Sequence, residues 1–96
     1  MSKVGKKKID FGTQIKQVRL KHKLTQEQFG EILGKSATTI HGYETNRITP
    51  PFDVLVTISS LFHITVADLM GLKSDNDPNI SNLYTLYLEL IGDENE

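Results

Sequence analysis

The side chains with the widest chemical range in these 96 residues are three histidines, His22, His41 and His63, and twelve acids. The histidines lack the i, i+4 pairing and the cysteine partners of a zinc site, so no metal is expected. Glu27 and Glu31 lie four apart on what reads as one exposed helix face. No glycine-rich loop follows a strand to cradle a phosphate, and no serine sits in a nucleophile elbow. Neither an enzyme nor a cofactor site has a warrant in such a pattern. With no cysteine in the chain, disulfides and thiolate ligands are excluded, which is compatible with a reducing cytosol.

What is left is cationic and hydrogen-bonding chemistry, and it is unevenly distributed. The formal net charge is −1, yet residues 1–72 carry ten Lys/Arg against six Asp/Glu, a balance of +4. Residues 73–96 carry one lysine against six acids, a balance of −5. The first 24 residues hold eight cations and the single acid Asp10. This asymmetry suits a polyanion meeting the N-terminal part. No run approaches the roughly 18 apolar residues of a membrane span, and the lysine-rich start lacks the apolar stretch and cleavage site of a signal peptide. No membrane is expected as a partner, and the chain is expected to stay in the cytoplasm.

Stepping outward from these groups, apolar spacing and capping residues predict short helices. Residues 1–9 read as a flexible basic arm. Phe11, Ile15, Val18 and Leu20 mark a first helix ending near Lys23. Thr25 and Gln28 form a capping box for a second helix, Gln26 to Leu33, with Phe29, Ile32 and Leu33 on one face and Gly34 stopping it. Ser36 caps a third, Ala37 to Thr45. Asn46 tolerates a left-handed turn, and Thr49-Pro50-Pro51 cannot continue a helix. Asp53 then opens a fourth helix with a stripe of Val54, Leu55, Ile58, Leu61 and Phe62, ending near His63. Thr65 caps a last short segment, Val66 to Met70. The expected domain is all-α, five helices within residues 10–72.

The second and third helices, joined by a tight turn at Gly34, have the shape of a helix-turn-helix. Two helices crossing near a right angle place the second in a DNA major groove, provided that the crossing is close. Gly30 is expected to permit that approach, with Phe29, Leu33, Ile40 and Tyr43 filling the corner.

LTQEQFGEILGKSATTIHGYETN, followed by PPFDVLVTISSLFHITVADLM, resembles the Cro/lambda-repressor-like (Xre) family over roughly Ile15 to Gly71. Thr25-Gln26, Gly34, Ser36, Ile40, Tyr43-Glu44, Pro50 and Asp53 carry the likeness. It implies a transcriptional regulator, bacterial or phage-encoded and nucleoid-associated. Such a protein represses as a homodimer and reads an operator in double-stranded DNA through its third helix. Gln26 matches the glutamine that donates to a phosphate and braces the recognition helix. Ser36 and the N–H groups it caps lie where a phosphate docks. Ala37, Thr38 and His41 match positions that touch base edges. Lys35, Thr39, Asn46 and Arg47 are expected on phosphates. Gly42 departs from the pattern, because a groove-reaching Arg, Lys or Gln is common there. Water and DNA shape are therefore expected to supply part of the specificity. Arg19 and Glu44 match a salt bridge inside the domain.

After a polar linker at 73–79, Ile80, Leu83, Tyr84, Tyr87, Leu90 and Ile91 follow amphipathic helical spacing, ahead of an acidic tail. This helix is expected either to fold back on the domain or to pair with its copy, with Leu83, Tyr84, Tyr87, Leu90 and Ile91 as the dimerisation candidates. A second functional reading makes the same helix the working surface of a protein-interaction module, antitoxin-like or an antirepressor partner.

Overall fold

A computed structural model describes residues 10–71 and 80–91. The expected basic arm, linker and acidic tail lie outside these residues. The described residues form six helices and no strand: α1 Phe11–Lys21, α2 Gln26–Leu33, α3 Ala37–Glu44, α4 Phe52–Phe62, α5 Val66–Leu69 and α6 Ile80–Ile91.

Local chemistry fixes where these helices begin and end. The Thr25 hydroxyl accepts from Gln28 N at 3.0 Å while Gln28 Oε1 accepts from Thr25 N at 2.9 Å, the reciprocal capping box expected for α2. Ser36 Oγ accepts from Thr39 N at 3.1 Å and Thr65 Oγ1 from Asp68 N at 2.9 Å. Asp10 caps α1 in the same manner, accepting from Thr13 N at 3.1 Å. At the far ends, Gly34, Asn46 and His63 take left-handed conformations with φ of 73°, 63° and 58°, which turn the chain sharply out of α2, α3 and α4.

The core is built around the fully enclosed Ile15, Phe29, Ile40, Leu55, Ile58 and Leu69. Three residues of the apolar helical spacing lie outside it and are exposed: Leu20 (53%), Ile32 (46%) and Leu61 (49%). At 100° per residue, they lie roughly 75° to 140° from the centre of the wedge that their own helix buries. In α1 the inward position next to Val18 belongs to Arg19, which is only 9% exposed.

The C-terminal helix folds back. Leu83 and Tyr87 are buried in the domain's own core, and the Tyr87 ring lies 6.1 Å from Phe11 and 5.2 Å from Phe52, centroid to centroid. Its hydroxyl donates to the Pro50 carbonyl at 2.7 Å, and burial raises its pKa above the ordinary phenol value. Two of the five dimerisation candidates are thereby corrected to intramolecular packing residues. Amphipathic spacing could not separate these fates, since it marks a face without saying what covers it. Tyr84 remains exposed, and Leu90 and Ile91 are partly buried against the core.

Candidate nucleic-acid interface

The turn from α2 into α3 packs its backbone directly against Gly30. A Cβ on Gly30 would lie 2.4 Å from the Lys35 carbonyl oxygen, so only glycine fits there. Lys35 N reaches back to the Gly30 carbonyl at 2.8 Å, closing the turn that Gly34 opens. Phe29, Ile40 and Tyr43 are buried at the corner, and Leu33 packs beside them. With Ile40 and Tyr43 turned inward, α3 presents Thr38 and His41 to solvent, with Ala37 and Thr39 half-exposed at its start. Lys35 and Ser36 precede it and Arg47 follows it, all three exposed.

The far end of α3 is held by an ion pair withdrawn from water. Arg19 Nε donates to Glu44 Oε2 at 2.7 Å and Nη2 to Oε1 at 2.9 Å, and the two side chains are 11% and 3% exposed. Arg19 Nη1 also donates to the Leu24 carbonyl at 2.9 Å. Hydrogen bonding to Glu44 holds the guanidinium pKa above its ordinary value. Gln26 Nε2 donates to Glu44 Oε1 at 3.1 Å. The carboxylate thus receives three charge-assisted or polar donors from α1 and α2, and a bidentate fork fixes direction as well as distance.

One expected placement is corrected. Asn46, expected on a phosphate, uses its side chain inside the domain: Oδ1 accepts from Gly12 N at 3.0 Å and Nδ2 donates to Asp10 Oδ1 at 2.8 Å. The cause is the close approach of α1 to the end of α3. A Cβ on Gly12 would lie 2.3 Å from the Glu44 carbonyl oxygen, and Asn46 bridges the remaining polar groups. Gly42, where the sequence departs from the family pattern, is buried. The Ile48 side chain covers it, so an added Cβ would fall 2.4 Å from Ile48 Cδ1.

Sequence reasoning passed over Asp10, Gly12 and Ile48. The Asp10-x-x-Thr13 spacing is a legible cap signal, hidden by the preceding lysines. Gly12 and Ile48 act through contacts distant in sequence and leave no local pattern. Among the described residues no three His, Cys, Asp or Glu gather as metal ligands, and no helix is long and apolar enough to cross a membrane.

The family model described as Helix-turn-helix matches residues 15–69. The uncharacterized HTH-type transcriptional regulator YobD of Bacillus subtilis is 38% identical over 66 residues, covering 69% of this chain and 59% of that protein. The HTH-type transcriptional activator BcrR of Enterococcus faecalis is 31% identical over 88 residues, covering 88% of this chain and 43% of its own length. The chain thus spans about half the length of the curated relatives it matches. Among solved structures, a transcriptional regulator from Listeria innocua superposes with a TM-score of 0.64 at 21% identity, over 88% of this chain and 79% of the other. The P22 c2 repressor, solved in complex with the synthetic operator 9T, superposes with a TM-score of 0.58 at 28% identity, over 68% and 96%.

Proposed function

This chain belongs to the helix-turn-helix family, of the Xre/Cro-like kind, and from that premise we propose that it is a sequence-specific DNA-binding transcriptional regulator. The observation that carries the reading is the exposed, braced face of α3. Thr38 and His41 stand free on a helix whose opposite side is buried, and whose end Arg19, Gln26 and Glu44 hold in place. A threonine methyl meets a thymine methyl, and an imidazole N–H donates to a purine acceptor. Lys35 and Arg47 supply charge for phosphates on either side of α3, and the backbone N–H groups at Ser36 supply a helix N-terminus for another.

The regulator acts as a repressor and homodimer, occupying double-stranded DNA half-sites about one helical turn, or 34 Å, apart. The repressor role is supported by the likeness to the P22 protein bound to its operator. Dimer contacts fall to exposed apolar residues such as Tyr84 and Leu88 on α6, because Leu83 and Tyr87 are already used. Its place of action is the nucleoid of a bacterial cytoplasm.

Fluorescence anisotropy tests this reading. The full chain is titrated against its own upstream DNA and against a scrambled duplex, at two salt concentrations. Tight, salt-sensitive preference for the upstream fragment is the expected result. Equal and weak binding to both at either salt contradicts a regulator of its own promoter and moves the search to other operators.

A further inference from the structure

At 100° per residue, Gly42 lies on the same side of α3 as Thr38, His41 and Thr45, a stripe that is otherwise exposed and polar. The chain after α3 is folded back to cover that point. Asn46 reverses direction with φ of 63°, and the N–H groups of Arg47 and Ile48 both donate to the Gly42 carbonyl, at 2.9 and 3.1 Å. Asn46 is itself pinned to Asp10 and Gly12. The Ile48 side chain consequently lies across Gly42 as though it grew from α3, yet it remains 43% exposed. We propose that Ile48 is a specificity-determining residue of the DNA interface, contacting the 5-methyl group of a thymine. The proposal rests on the reading of α3 as the DNA-facing helix.

The chemistry leaves little choice of target. An isoleucine offers no donor or acceptor to a base edge, and the one apolar group displayed in the major groove is the thymine methyl. Because two backbone hydrogen bonds already hold the loop, little ordering entropy is lost on contact. Glycine at 42 has a purpose on this view. It removes a side chain from the recognition helix and lets a loop residue take its position, which accounts for the missing long cation.

Duplexes selected by the full-length protein from a random-sequence library provide the test. Each thymine of a selected duplex is replaced in turn by uracil, deleting only the methyl. At the position Ile48 touches, distinct from any that Thr38 meets, each half-site should lose about fourfold in affinity, the worth of one buried carbon. Ile48→Ala should abolish that sensitivity while still binding the duplex. Gly42→Ala should do the same with Ile48 intact, since its Cβ displaces the flexible end of that side chain. Circular dichroism melting establishes that both variants fold, and Ile48→Ala, altered at a side chain outside the core, suffices alone if Gly42→Ala does not fold. Uracil sensitivity that is the same at every position in wild type and Ile48→Ala overturns the proposal, as does a wild type indifferent to every replacement. Selection of no sequence at all is a different failure, because it overturns the DNA-binding reading and this proposal with it.

Discussion

Glu44 anchors the end of α3, because its carboxylate joins α1, α2 and α3 at one point. Removing one partner of a buried pair strands the other, so Arg19→Ala should cost on the order of 3 kcal/mol in urea unfolding. A cost within error of zero would reduce the pair to a surface contact. Asp10 offers a pH signature at the same scale. Hydrogen bonds from the Thr13 hydroxyl, the Asn46 amide and Thr13 N–H hold its carboxyl below the ordinary 3.8. A depressed carboxyl pKa lends stability that is complete above that ordinary value and is lost as the pH falls through the lowered one. Asn46→Ala should move the Asp10 titration upward, as read from its carboxyl carbon by NMR; an unmoved titration would detach Asn46 from the cap. The pairing of Arg19 with Glu44 was legible in the sequence through family resemblance. The clasp of Asp10 and Asn46 was not, because it spans 36 positions and neither residue departs from its ordinary local role.

At the scale of elements, helix starts were legible wherever a short polar side chain precedes an apolar run, as at Thr25, Ser36 and Thr65. Buried faces were less legible. Leu20, Ile32 and Leu61 are apolar and near helical register, but a helix in so small a domain buries only a narrow wedge. The tight turn from α2 into α3 depends on Gly30, so Gly30→Ala should destabilise the domain by about 1–3 kcal/mol, because the obstacle is the Lys35 backbone and cannot yield. Unchanged thermal unfolding of that variant would mean that the turn is looser than the geometry describes. The docking of α6 has a comparable test. Tyr87→Phe keeps the ring and deletes the donor to Pro50 O, leaving a buried carbonyl unsatisfied at a cost of about 1–3 kcal/mol. No loss of stability would place α6 away from the domain.

For the molecule as a whole, net charge conceals the relevant quantity, which is the excess of cations over residues 1–72 and of acids after them. DNA binding through the cationic part should weaken with salt, each neutralised phosphate adding about 0.9 to the slope of log K against log salt. The overall fold could be read from the sequence because capping, spacing and turn residues all pointed to one arrangement. The fate of α6 could not, because its apolar face is equally suited to its own domain, a second copy or another protein. The measurement that bears most directly on α3 as the reading helix compares Thr38→Ala, His41→Ala and Lys35→Ala on selected and random duplexes. Loss of preference in the first two, with Lys35→Ala weakening both duplexes alike, is the predicted result. If Thr38→Ala and His41→Ala instead retain the full wild-type preference, α3 does not read the bases.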